Sequence, residues 1–219
     1  VVDSDLETVF AIDLDSGDRS VLSDDTTGSG PGLSFPLGIT LDSANNRALM
    51  VDGGLEALIA IDLASGDRTV LSDAVTGAGT NLSSPDDVAL DSTNNRALVV
   101  DDSLDALIAI DLASGDRTIL SDASTGGGSN LSSPRSVDLD SANNRALVVD
   151  ESLDALIAID LDSGERTVLS DAASSTGLTL NSPQGIAMDS TNNRALIVDT
   201  DLSALLWAAM NLPSVLNEY

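Results

Sequence analysis

The chain has 219 residues, with 9 basic side chains, all arginine, against 36 acidic ones, no histidine and no cysteine, for a net charge of −27. An anion this strong repels phosphate backbones and anionic lipid headgroups, so neither nucleic acid nor membrane insertion is expected. Missing cysteine and histidine exclude disulfides, thiolate metal sites and the usual general base, while an apolar fraction of 42% with 2% aromatics predicts a core of Leu, Val, Ile and Ala.

In chain order the sequence restates itself. Asn-Asn pairs begin at 45, 94, 143 and 192, and Ile-Asp-Leu begins at 61, 110 and 159 with an earlier copy at Ile12–Leu14, so the unit is 49 residues. One unit, Ser84 to Ser132, reads SPDDVALDSTNNRALVVDDSLDALIAIDLASGDRTILSDASTGGGSNLS. Its short apolar runs, separated by turn residues, predict four strands. Strand a runs from Val88 to Asp91; b, after Ser-Thr-Asn-Asn, from Ala97 to Asp101; c from Ala106 to Leu112; and d, after Ala-Ser-Gly-Asp, from Arg117 to Ser121. Gly115 suits a turn position of positive φ. A Gly/Ser/Thr-rich loop then leads to the next proline. Four short antiparallel strands at this period predict an all-β propeller.

Strand a ends at Asp42, Asp91, Asp140 and Asp189, b at Asp52, Asp101, Asp150 and Asp199, and d begins at Arg19, Arg68, Arg117 and Arg166. Equal counts of four predict four closed blades in a single domain over residues 1–201. The repeats are about 36–84, 85–133 and 134–182, with a split blade of 183–201 plus 1–35 closing the ring by pairing N- and C-terminal strands. Residues 1–14 and 197–210 both align with 99–112, which gives strand c five candidates for four places. The surplus copy lies in a C-terminal tail, 202–219. Its Leu202, Leu205, Leu206 and Trp207 are expected to form an extra strand or assembly segment that joins copies head to tail by β-augmentation, as an oligomer or filament.

Val-Ala-Leu-Asp at 88–91, Arg-Ala-Leu-Val-Val-Asp at 96–101 and Ile-Asp-Leu-Ala-Ser-Gly-Asp-Arg-Thr at 110–118 resemble the blades of the YWTD, NHL and gluconolactonase-like group of propellers. The resemblance spans the chain to about Leu206, although Leu98 and Val99 stand where a YWTD blade has Tyr and Trp. It implies a backbone-binding role for Asp52, Asp101, Asp150 and Asp199. The lactonase-like members hold a divalent metal with Glu, Asn and Asp side chains on the axis; the inner strands here offer neither glutamate nor axial asparagine, so catalysis is not expected.

Eight arginines fall at two repeat positions, Arg47, Arg96, Arg145 and Arg194, and Arg19, Arg68, Arg117 and Arg166, each near repeating aspartates; all eight read as structural ion pairs. Asp13 to Asp18 (Asp-Leu-Asp-Ser-Gly-Asp) could suggest a calcium loop, but Ala64 and Ala113 replace Asp15 in the next copies, so it reads as a hairpin turn. No dedicated cofactor is expected, only weak Ca2+ association among many carboxylates; a metal site is not assigned. Internal symmetry breaks at the entry to strand a, in Leu37-Gly38, Asp86-Asp87, Arg135-Ser136 and Gln184-Gly185, and one position further in, where Asp138 replaces Thr40, Ala89 and Ala187. Asp86, Asp87, Arg135, Asp138 and Gln184 are therefore the candidate ligand-binding residues at a channel mouth. Asn81 and Asn130 begin glycosylation sequons on loops expected to be exposed.

The sequence favours a non-catalytic, acidic, secreted or cell-surface propeller with a structural or self-assembling role, its first partner being itself. An extracellular binding or adhesion module with a glycan or protein ligand is the alternative, and a metal-dependent lactonase-like hydrolase the second.

Overall fold

The computed structural model describes residues 1–174 and 178–209. Its eighteen strands run β1 (Val2–Asp3), β2 (Thr8–Ile12), β3 (Arg19–Ser23), β4 (Pro36–Asp42), β5 (Arg47–Asp52), β6 (Ala57–Asp62), β7 (Arg68–Ser72), β8 (Pro85–Asp91), β9 (Arg96–Asp101), β10 (Ala106–Asp111), β11 (Arg117–Ser121), β12 (Pro134–Asp140), β13 (Arg145–Asp150), β14 (Ala155–Asp160), β15 (Arg166–Ser170), β16 (Pro183–Asp189), β17 (Arg194–Asp199) and β18 (Ala204–Ala209). They form five antiparallel sheets in sequence order: β1–β3, β4–β7, β8–β11, β12–β15 and β16–β18. The fold is a β-propeller with five blades of three or four strands.

This corrects the expectation of four closed blades. The segment at Val1–Asp3 does not pair with the C-terminal strands; Val2 lies opposite Val9 and Asp3 opposite Thr8. Likewise β18 stays on β17, with Leu206 opposite Ile197 and Leu205 opposite Val198. The split blade does not form, and no strand pairing joins the first and last sheets among the described residues. The physical reason is local: each hairpin closes over a few residues, through turns in which Glu7 and Ser203 take φ near 50°, whereas splitting a blade closes a loop of about the whole chain against a larger entropy. Strand b, not only c, therefore occurs five times, with Val2–Asp3 as its shortened first copy.

The second and third strands of the complete sheets are buried along nearly their whole length. The cause is stacking on both faces, which explains continuous apolar runs such as Ala-Leu-Ile-Ala-Ile in place of an alternating pattern. One junction shows the rule: Leu49, Val51, Leu58 and Ala60 of the second sheet pack on Ala97, Val99, Ala106, Ile108 and Ile110 of the third. Alternate residues of one strand thus serve two junctions. Where a sheet is missing on one side the burial fails, so Val198, Leu205 and Trp207 are 49%, 67% and 64% exposed.

Repeated polar residues hold the frame. Asp101, fully buried, accepts the backbone N–H groups of Ser83, Ser84 and Leu104, tying the loop that enters a sheet to the β9–β10 turn. Asp52, Asp150 and Asp199 do the same in their sheets. Arg47, Arg96, Arg145 and Arg194 pair with Asp42, Asp91, Asp140 and Asp189 at 2.7–2.8 Å. The other arginine set departs from the expected ion pairs. Arg117, nearly buried, donates to the Ser72 hydroxyl and to the carbonyls of Asp73, Thr76 and Thr80, all in the strand and loop that end the preceding sheet. Arg68 and Arg166 repeat this clamp one sheet before and after. Arg19, which makes no such clamp among the described residues, is exposed. A planar guanidinium suits this task because its fixed fork can meet several carbonyls at once.

Candidate functional site

The inner strands β4, β8, β12 and β16 stand side by side around the axis, and their entries are the positions where the repeat departs from itself. They surround a cavity of about 410 Å³ lined by Leu37, Gly38, Asp86, Asp87, Arg135, Ser136 and Gln184, with Val2 and Ser4 of the first sheet. Four of the five predicted mouth residues therefore come together. Gly38 is required for β4 to approach β8, since a Cβ there would collide with the Asp87 backbone and carboxylate.

Arg135 is the cation of the mouth. Its Nε donates to Glu151 Oε2 at 2.6 Å, and its Nη1 lies 3.3 Å from Asp86 Oδ2 and 3.6 Å from Asp102 Oδ2. Three carboxylates around one guanidinium leave the cluster anionic. Burial pushes the Asp86 carboxyl up to about 6; Arg135 works against this and the neighbouring Asp102 adds to it. Burial also raises Asp87, against hydrogen bonds from Ser136, Val137 and Val88. Glu151 moves the other way, held low first of all by its hydrogen bond from Arg135.

Asp87 and Asp138 have a second task. The Ile186 N–H donates to the Ser136 hydroxyl, which donates to Asp87 Oδ2; the same oxygen accepts the Val137 N–H. This relay links β16, β12 and β8. Asp138 Oδ2 accepts the Met188 N–H at 2.7 Å, and its other oxygen accepts the Leu139 N–H. It bridges two inner strands and does not line the cavity, so its place is in the frame and not at the mouth.

Sequence reasoning missed Asp102 and Glu151. The signal was available in the repeat: the position after strand b reads Gly53, Asp102, Glu151 and Thr200, as variable as the entry pairs. Gln184 reaches the same group through Ser182, whose hydroxyl donates to Glu151 Oε1. The hairpin at Asp13 is a turn: Asp13 Oδ1 accepts the N–H groups of Asp15 and Ser16. Among the described residues no three acidic side chains form a set that could hold a metal ion. Asn81 and Asn130 stand on exposed loops, each amide oxygen accepting from Arg117 or Arg166. Leu202, Leu205, Leu206 and Trp207 lie in or next to β18, away from this cavity.

No protein-family model matches the chain, and no curated protein matches it either. Its fold matches solved structures. A propeller of the YWTD type in the crystal structure of a nidogen/laminin complex superposes with a TM-score of 0.69 at 17% identity, covering 89% of this chain and 67% of that one. A structural genomics protein of unknown function from Bacteroides thetaiotaomicron gives a TM-score of 0.63 at 17% identity, over 90% of this chain and 48% of that one. The resemblance to YWTD-type propellers thus holds for the fold. Among the described residues no helix is long and apolar enough to cross a membrane.

Proposed function

We propose that the chain is a non-catalytic, extracellular binding propeller that receives a cationic segment of a protein partner at its central mouth. The observation that carries this reading is the convergence of Asp86, Asp102 and Glu151 on a single arginine beside an open polar cavity. The repeated aspartates and arginines are already engaged in holding sheets together, so the asymmetric mouth is where recognition has room to act. A net charge of −27 supplies long-range attraction for a basic partner. The similar propeller in the nidogen/laminin complex, itself part of a protein–protein assembly, supports both the binding role and the extracellular setting.

The test uses a labelled hexaarginine peptide and fluorescence anisotropy at about 0.15 M salt. Replacing both Asp86→Asn and Asp102→Asn should weaken binding at least tenfold, while Asp15→Asn with Asp162→Asn, two exposed acids in turns at the opposite end of their sheets, should change it less than twofold. Equal losses would mean that the overall field alone attracts the peptide, and would refute a mouth site.

Self-association is the second reading, favoured by two open apolar faces. Leu205 and Trp207 are exposed on the last sheet, and Ile12 and Val21 are each 40% exposed on the first. Sedimentation velocity decides it: a single monomer boundary up to about 100 μM would dismiss it.

A further inference from the structure

In each complete sheet the third strand carries a fourth on its outer edge. There Arg68 stands opposite Ile61, Val70 opposite Ile59 and Ser72 opposite Leu58, with the same register in the next two sheets. The last sheet ends at β18, and among the described residues nothing pairs with that outer edge. A groove of about 610 Å³ runs along it, lined by Leu169, Ser170, Ser174, Leu178, Leu180 and Leu206, among others.

The groove walls correspond to the places where earlier sheets receive their fourth strand. Val168 of the fourth sheet packs on a cluster that includes Leu120 and Leu131; one repeat later these positions are Leu169 and Leu180. Arg166 donates to the Ser121 hydroxyl and to the carbonyls of Asp122, Thr125 and Ser129; one repeat later these are Ser170, Asp171, Ser174 and Leu178. The apolar slot of an outer strand is therefore present, and the residues of the guanidinium seat have counterparts by repeat position, in a loop where the Asp171 N–H donates to Ser174 Oγ in place of a carbonyl. At the repeat register the chain's own residues 215–219 read Val-Leu-Asn-Glu-Tyr, with valine where the other sheets have arginine and asparagine where they have valine or isoleucine.

We propose that the outer edge of β18 is an acceptor site for an extended strand from a different protein, bearing an arginine and, two residues later, a β-branched aliphatic residue. The incoming strand runs antiparallel to β18, its arginine opposite Ala208 and its aliphatic residue opposite Leu206, and gains main-chain pairing together with the two side-chain seats. Main-chain bonds alone would accept most extended peptides; the arginine seat supplies the selectivity.

The probe is a labelled peptide with the chain's own outer-strand sequence, Ser-Gly-Glu-Arg-Thr-Val-Leu-Ser-Asp, taken from residues 163–171. Its net negative charge keeps it from the anionic mouth, and the Asp86→Asn, Asp102→Asn double variant should bind it as wild type does, so failure here and failure of the mouth site are told apart. The 219-residue chain should bind it saturably, with at least a tenfold loss when the peptide's arginine becomes glutamine or its valine becomes aspartate. Binding insensitive to the arginine, or no saturable binding to either the full chain or a chain ending at Ala209, would overturn the proposal. Binding that appears only after that truncation would make the chain's own terminal residues the occupant. Self-association reversed by the peptide would make it a second copy. Either result also overturns a strand from another protein.

Discussion

Replacing Asp86 by asparagine separates the electrostatic cost of the mouth from everything else in the propeller. The Asp86 carboxyl titrates near 6 in the folded protein against 3.8 for the free side chain. Between those values the folded chain holds a proton that the unfolded chain has released, so Asp86 makes stability fall as pH rises from about 4 to about 6. At about 1.4 kcal/mol per pH unit the full displacement corresponds to about 3 kcal/mol. Water in the open mouth screens this, and about 1–2 kcal/mol is the expected effect. Asparagine does not titrate, so the stability of Asp86→Asn relative to wild type should rise by that amount between pH 4 and pH 7. Whatever the variant loses by no longer facing Arg135 as an anion adds to any offset between the two proteins, and the slope of the difference carries the test. The assay is urea unfolding followed by circular dichroism at fixed ionic strength, at pH 4, 5, 6 and 7. Asp42, Asp91 and Asp189 do not confuse it. Burial raises the first two, but hydrogen bonds from their asparagine and arginine neighbours outweigh it; Asp189 is lowered by Asn192 and then Arg194. All three lie below the ordinary value, so their contribution disappears at lower pH and is shared by both proteins. A difference that stays flat within about 0.3 kcal/mol, or moves in wild type's favour as pH rises, would refute the reasoning.

Arg117→Lys should cost about 2–4 kcal/mol in the same unfolding assay, because an ammonium cannot reach the Ser72 hydroxyl and three carbonyls together and leaves buried acceptors unmet. Arg19→Lys, at the exposed equivalent, should cost less than about 0.5 kcal/mol; equal costs would remove the clamp. Asp101→Asn should cost about 2 kcal/mol by weakening a buried acceptor of three backbone N–H groups. Hydrogen exchange should then accelerate at Ser83, Ser84 and Leu104, and unchanged protection there would contradict the assignment.

The repeat made the blade legible because each strand is bounded by residues with local tasks. Asp91, Asn94 and Arg96 close the β8–β9 turn among themselves, and Gly115 takes φ of 77° in the β10–β11 turn, as its place after Ala-Ser predicts. The blade number was not legible from the same counting. Val2–Asp3 is only the end of a b strand, too short to show a pattern, yet two residues opposite Val9 and Thr8 are enough to complete a hairpin. The arginines misled for a related reason. Nearness in sequence to Asp67, Asp116 or Glu165 suggested carboxylate partners for Arg68, Arg117 and Arg166, but their oxygens come from residues 36 to 45 positions away, in the sheet before. The mouth was found through departures from symmetry at 86, 87, 135 and 184. Asp138 departs equally and serves the frame, so asymmetry marks a position that differs without saying what the difference does.

The clamps also give the propeller a direction. Each of Arg68, Arg117 and Arg166 reaches backwards, from the outer strand of its own sheet into the sheet before, so a sheet without an outer strand has nothing with which to grip its predecessor. The first sheet is gripped by Arg68, and among the described residues Arg19 grips nothing in its turn. The last sheet, lacking a fourth strand among the described residues, is hydrogen-bonded to the fourth along its inner edge, by Asp138 to the Met188 N–H, by Ser136 to the Ile186 N–H and by Ser182 to Glu151 and Asp154, and it packs on the fourth through a cluster in which Leu206 and Ala208 of β18 join Leu147, Leu156, Leu180 and Ile197. Leu205 and Trp207 stand where Leu58 and Ala60 pack on the following sheet, and with no following sheet among the described residues they face solvent. A strand arriving in the β18 groove would do for the last sheet what β7, β11 and β15 do for theirs: satisfy the edge and, through its arginine, fasten the sheet to its neighbour at the rim as well as at the axis. Binding there would therefore stiffen the outer half of the last sheet, while its inner ties through Ser136 and Asp138 are made without it. The groove and the mouth are separate surfaces on one continuous set of hydrogen bonds.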